Sequence, residues 1–201
     1  STYSSLMYWT GQNPFTGKTL IQFHGPRALV IEPPAPPLTT EELDRVYELP
    51  YTRRPHPLYR ETIPAWVMIR DSITVVRGCG GGCTFCGLGL HQGRFLSSRS
   101  EESVVREAQT LAADPDFHGT ITDLGGPTAN LYGCRNGASE ACRICRRPSC
   151  LFPAICPNLA DDPAPALRLM RRIRMLPGIK HVFIQSGIRM DSICEPYIRR
   201  K

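Results

Sequence analysis

The sequence predicts an α/β fold built from parallel βαβ units, and three observations predict it. Apolar, β-branched runs at 72–79, 119–126 and 181–187 read as strands; amphipathic patterns at 100–115 and 165–178 read as the helices between them; each strand breaks into a glycine-containing turn. Strands that alternate with helices of this length are joined by crossovers and so run parallel. Binding groups in such sheets gather at the carboxyl ends of the strands. GCGGGC, DLGGPT and SGIR fall at those three ends, so one pocket is expected there.

Residues 1–65 read as an irregular, proline-rich lead-in or linker, with the core domain over 66–201. EPPAPP at 32–37 cannot continue a helix or the middle of a sheet, because proline lacks a donor and fixes φ. LTTEELDRVYELP after it is a short helix capped by Thr39 or Thr40, with Glu41 and Glu42 in the first turn. YTRRPHP then returns to extended chain. SITVVRGC at 72–79 is the first strand. In SEESVVREAQTLAADP, Ser100 is the expected cap, and Val104, Val105, Ala108, Leu111 and Ala112 share one face. GTITDLGG is the second strand. A Cys-rich insertion at 133–160 precedes PALRLMRRIRMLPG, a helix stopped by Pro177 and Gly178, and HVFIQSG is the third strand.

Composition excludes some classes of function. Hydrophobic residues make up 41% of the 201 residues and no apolar run approaches a bilayer span. The chain starts at Ser1 with no charged-then-apolar leader. A cytoplasmic location and a piece of a longer protein are therefore expected. The net charge of +6 admits a nucleic-acid partner, but much of the excess lies in LRLMRRIRM and the terminal RRK, which read as a solvated helix face. Nine cysteines, an odd number without a leader, fit metal ligation in a reducing compartment better than a disulfide framework.

Cys79, Cys83 and Cys86 are spaced C-x3-C-x2-C. Thiolates so spaced can reach three corners of an iron–sulfur cube, leaving one iron open to a substrate or cofactor. Gly80, Gly81 and Gly82 between the first two would let the backbone adopt unusual φ values and bring N–H groups to the sulfides. Structural thiols, or a zinc site completed by His91, are the alternative; strand context and glycine usage favour the cluster. A second group, Cys134, Cys142, Cys145, Cys150 and Cys156, contains C-x2-C-x4-C-x5-C among arginines. It suits a tetrahedral zinc, an auxiliary iron–sulfur cluster or a set of reduced, partly buried thiols. Cys194 reads as a core thiol.

The motif with Phe85 just before its last cysteine, together with MIRDSITVVRGCGGGCTFC, HQGRFLSSRS, DLGGPTANLYG, CRRPSCLFPAICPNL, GIKHVFIQSGIR and the lead-in's NPFTGK, resembles the YgiQ family of radical S-adenosylmethionine (SAM) proteins. The resemblance implies a partial (β/α) barrel of the radical SAM type, truncated after about three strands. It implies an enzyme of unknown substrate whose 4Fe–4S cluster, on Cys79, Cys83 and Cys86, binds SAM at the open iron. Reductive cleavage of SAM to methionine and a 5′-deoxyadenosyl radical would follow, fed by an electron donor such as a flavodoxin or ferredoxin. Gly125 and Gly126 would take the place of the strand end that meets the methionyl amine, with Ser186 and Arg189 near the ribose or carboxylate and Phe85 beside the cofactor. No residue reads as a catalytic acid or base. The competing readings are an RNA-modifying, methylthiotransferase-like enzyme and a non-catalytic zinc-bound interaction module.

Overall fold

The computed structural model describes residues 13–137 and 139–190. The chain divides into two compact units, one of residues up to 37, 78–96 and 135–160, the other of 38–77, 97–134 and 161 onward. In chain order the elements are β1 (Leu20–His24), β2 (Arg27–Ile31), α1 (Thr40–Tyr47), α2 (Pro64–Ile69), β3 (Ser72–Thr74) and β4 (Val76–Arg77). Then come α3 (Leu88–His91), β5 (Ser97–Ser98), α4 (Glu101–Ala112), β6 (Thr120–Ile121) and β7 (Asp123–Gly125). A 3-10 turn at Ala129–Leu131, α5 (Glu140–Arg143), α6 (Ala164–Arg174) and β8 (His181–Val182) complete the list.

The first unit opens on a hairpin, which corrects the expectation of an irregular lead-in. β1 and β2 pair antiparallel from Leu20↔Ile31 to His24↔Arg27. Gly25 takes φ 59° at the turn and Pro26 holds φ near −65°, a combination that suits a two-residue hairpin loop. The prolines that suggested irregularity begin only after β2 ends. Ile21, Phe23, Leu29 and Val30 on the hairpin are exposed.

In the second unit α1 begins with a capping box: the Thr39 hydroxyl accepts from the Glu42 N–H and the Glu42 carboxylate accepts from the Thr39 N–H. Ser100 caps α4, accepting from the Ser103 N–H at 3.1 Å. Val104, Val105, Ala108 and Leu111 are buried as their spacing predicts, while Ala112 is half-buried. β3 pairs parallel with β7, and β6 parallel with β8. Val75 N–H to Gly125 O at 2.8 Å and Leu124 N–H to Phe183 O at 2.9 Å extend these pairings. The stretch 120–125 therefore lies between the other two, all parallel and in chain order. The strand expected at 72–79 is broken at Val75, and β4 turns to pair antiparallel with β5, an element the sequence pattern concealed. Ile73, Val75, Ile121 and Leu124 are buried together with Leu169 and Ile173 of α6. Among the described residues the strands form pairs and close no barrel, and no helix is long and apolar enough to cross a membrane.

α6 ends at Arg174, about a turn short of the Pro177 stop expected from sequence. Two of its arginines face the first-turn acids of α4: Arg172 Nη1 lies 2.9 Å from Glu102 Oε1, and Arg168 Nε 3.6 Å from Glu101 Oε1. Solvent and salt screen exposed pairs of this kind, which add little to stability, so the arginine run is largely a solvated helix face.

Arg99 is different, being 2% exposed. It donates to Thr74 O at 3.0 Å, to Ser103 Oγ at 2.8 Å and to the Glu107 carboxylate, and its guanidinium lies 4.2 Å over the Tyr47 ring. Burial lowers its pKa to about 10, against the opposing pull of Tyr47 and Asp44. Removing one partner of a buried, hydrogen-bonded charge leaves the others unsatisfied. Arg99→Leu is expected to lower unfolding stability by about 3 kcal/mol, read from the denaturant midpoint of the intact protein.

Candidate metal centre

The C-x3-C-x2-C loop starts at Gly78, whose φ of 83° only glycine adopts cheaply. A Cβ there would overlap the Phe95 carbonyl. Cys79 N–H then donates to Gly93 O at 3.0 Å, so both ends of the loop run side by side. Gly82 takes φ 61°, and a Cβ on it would overlap the Pro148 carbonyl. Gly81 N–H points to Cys79 Sγ at 3.4 Å, and Cys86 N–H to Cys83 O at 3.1 Å. Gly80 has another duty than expected. A Cβ on it would come within 3.2 Å of Cys150 Cβ and Asn136 Nδ2, so its small size admits the Cys-rich insertion.

Cys79, Cys83 and Cys86 are half-buried and line one cavity of about 400 Å³ with Arg94 and Pro148. His91, the last residue of α3, is not in its wall. Phe85 is 90% exposed. Among the described residues no disulfide forms, and no three His, Cys, Asp or Glu side chains converge closely enough to hold a single metal ion as they stand. Three soft sulfur donors around one roomy space, with an N–H aimed at one of them, suit a thiolate-bound iron–sulfur cluster better than a closed zinc tetrahedron.

The insertion is closed at its neck by the paired backbones of Arg135 and Ala160. Cys142, Cys145, Cys150 and Cys156 line a second, much smaller cavity of about 20 Å³. Asn136 fastens this part to the first loop: its Oδ1 accepts from Leu96 N–H at 2.7 Å and its Nδ2 donates to Arg94 O at 2.9 Å. Arg94 in turn donates to Cys145 O at 3.2 Å and Arg147 O at 2.8 Å, and Cys150 N–H donates to Gly80 O at 2.8 Å. Burial acts to raise the Cys142 pKa, but hydrogen bonds from Ser139 and from the backbone of Gly137, with the Arg94 charge, bring it below the ordinary value.

Cys134 belongs to the other unit. It is 1% exposed, with Sγ 3.5 Å from both Asn130 O and Asp161 Oδ1. Burial, then the Asp161 charge, pushes its thiol up to about 12. Cys194 lies outside the described residues.

Gly125, Gly126, Ser186 and Arg189 are also in that unit, at the carboxyl ends of the parallel strands. A Cβ on Gly125 would overlap Ser186 Oγ, and one on Gly126 would meet Val76 O at 2.5 Å. The clamp is Asp123, a residue that sequence reading passed over. Its Oδ1 accepts from Gln185 N–H at 2.8 Å, and from Ser186 N–H and the Ser186 hydroxyl at 3.1 Å each. The signal lay in DLGG, an acid two residues before a glycine pair. Arg189 is held through its backbone, N–H to Asn130 Oδ1 at 2.9 Å and O from Asn130 Nδ2 at 3.0 Å. An apolar cavity of about 320 Å³, walled by Val75, Leu124, Leu167, Met170 and Ile184, opens in the same unit.

Residues 2–72 match the family described as Radical SAM N-terminal. The chain is 50% identical over 186 residues to a UPF0313 protein of Methanocella arvoryzae, covering 92% of this chain and 31% of that protein. It is 50% identical over 183 residues to UPF0313 protein RPA0679 of Rhodopseudomonas palustris, covering 89% and 27%. It is 49% identical over 185 residues to UPF0313 protein YgiQ of Salmonella typhimurium, covering 91% and 26%. The chain belongs to the YgiQ family of radical SAM proteins. It spans less than a third of the length of these UPF0313 relatives.

The Cys134 thiol carries a testable consequence. Its folded pKa is raised from 9.0, so the associated stability is present below pH 9 and lost as pH rises toward 12. Tyr132, raised from 10.0 to about 12 chiefly by burial, adds a loss of the same sign at the upper end. Stability should fall by up to about 1.4 kcal/mol per pH unit for each group in its window. Cys134→Ala should remove the part that begins near pH 9, as followed by denaturation midpoints across pH 8 to 10.

Proposed function

We propose that this chain carries the cluster-binding part of a radical SAM enzyme, in which Cys79, Cys83 and Cys86 ligate a 4Fe–4S cluster with one iron left for SAM. The observation that carries the reading is the single cavity of about 400 Å³ shared by the three thiols. When bound, the cluster would supply the electron for reductive cleavage of SAM at its sulfonium, the chemistry that would start radical hydrogen abstraction from a substrate. An external donor of the flavodoxin or ferredoxin kind supplies that electron, and a reducing, cytoplasmic setting keeps the thiols available.

The chain's own residues orient and shield. Gly81 N–H stabilises negative charge on the Cys79 sulfur, a tuning effect typical of groups around metal-bound thiolates. The Gly125 carbonyl already accepts from Val75 N–H, which leaves Gly126 the better acceptor for the methionyl amine. The Ser186 hydroxyl gives its proton to Asp123 and keeps its lone pairs for a ribose hydroxyl. Arg189 suits a carboxylate, and the exposed Phe85 ring suits stacking. The three parallel strand segments in chain order would be the first part of a (β/α) barrel. Residues 66–201 would be the start of that core, interrupted by the insertion at 133–160 and preceded by the lead-in at 1–65.

Two measurements test this. The intact protein, reconstituted anaerobically with iron and sulfide and reduced with SAM present, is expected to form 5′-deoxyadenosine, and Cys83→Ala to bring the product to background. Protein that stays iron-free, or product that persists in the variant, overturns the reading. Gly82→Ala, which must strain φ and displace Pro148, should lower bound iron severalfold while far-ultraviolet circular dichroism stays unchanged.

A further inference from the structure

We propose that Cys142, Cys145, Cys150 and Cys156 form a second, structural site that takes one zinc ion, separate from the cluster and without Cys134. The inference stands independently of the cluster assignment. Five cysteines in the insertion left zinc, a cluster and unligated thiols all open; the structure narrows the choice on three grounds.

The first is composition of the site. Four of the five cysteines wall one cavity, and they are the four in the C-x2-C-x4-C-x5-C spacing. Cys134 is in the other unit, engaged with Asp161 and Asn130. Four thiolates make a closed tetrahedral set, the arrangement of structural rather than catalytic zinc.

The second is size. A cavity of about 20 Å³ holds about one water-sized body. A lone zinc with sulfur ligands at about 2.3 Å needs no more space than that. The four sulfurs are not yet within ligating reach of a common point, so the ion must draw them in from the walls. Metal binding and ordering of the insertion are thereby coupled.

The third is the surroundings. Arg147 N–H points to Cys145 Sγ at 3.4 Å and Asn136 Nδ2 to Cys150 Sγ at 3.5 Å. N–H groups aimed at sulfur are what an anionic thiolate requires. Arg94 and Arg147 line the same cavity, and their charges offset the net negative charge of zinc with four thiolates. Cys156 N–H to Cys150 O at 2.8 Å ties the last two ligands together.

The site would act on the first loop through contacts already described. Cys150 donates its N–H to Gly80 O and packs on Gly80, one residue from Cys79. An ion that fixes Cys150 therefore fixes the backbone between Cys79 and Cys83. The zinc would be a positioning device with no chemistry of its own.

The test uses the intact protein with Cys79, Cys83 and Cys86 all replaced by alanine, so that the cluster cannot form. Elemental analysis is expected to find about one zinc per chain, and cobalt substitution to give the ligand-field and thiolate charge-transfer bands of a tetrahedral sulfur site. Cys150→Ser in that background should cut zinc at least tenfold, and Cys134→Ala should leave it unchanged. In the unsubstituted protein, an organomercurial titration followed with a chromophoric chelator should consume about four thiols per zinc released, which guards against loss through misfolding. Iron and sulfide in the triple variant, absence of zinc, or zinc loss on Cys134→Ala would overturn the proposal. Iron in the unsubstituted protein reports on the cluster alone, so the two readings fail separately.

Discussion

A hydrogen in place of a side chain at Gly78 lets the Phe95 carbonyl rest against the chain at φ 83°, and the placement of all three cysteines follows from that contact. The backbone leaves β4, folds back along Gly93, and returns through Phe95. Any Cβ at Gly78 would overlap the Phe95 carbonyl, so the two ends of the loop could not approach as they do. Gly82 repeats the device against Pro148. Conformational freedom, costly in an unfolded chain, is spent here on close backbone approach.

The insertion is consequently a support rather than an ornament. Asn136 uses both ends of its amide on the backbone flanking the loop, and Arg94 reaches in the opposite direction to the carbonyls of Cys145 and Arg147. These side chains satisfy backbone groups that no helix or sheet could pair, as an irregular segment demands. Phe95 packs edge-on against Phe15 with ring centroids 5.3 Å apart, giving the first unit an apolar anchor beside its polar seams.

The second unit is held by a more ordinary logic: parallel strand segments buried with the apolar faces of α4 and α6, and Arg99 joining strand, helix and aromatic ring from inside. Its polar strand ends depend on Asp123. One carboxylate oxygen receives three donors from Gln185 and Ser186, drawing the end of the third strand onto the second. The candidate SAM contacts at Gly125 and Ser186 are therefore parts of one clamp, and a change in any member moves the others.

The sequence by itself determined what depends on neighbours along the chain. Ser100 and Thr39 cap their helices because a side-chain oxygen meets N–H groups three residues away, the buried face of α4 follows from its period, and the C-x3-C-x2-C spacing keeps three thiols within eight residues. Tertiary structure alone decided what depends on distant partners. The lead-in hairpin hid behind the prolines that follow it, β4 left its strand to pair with β5, Gly80 proved to make room for Cys150, and Cys134 parted from the other thiols. Each of these turns on which backbone or sulfur comes within about 3 to 4 Å across a long stretch of chain, and spacing along a sequence carries no record of that.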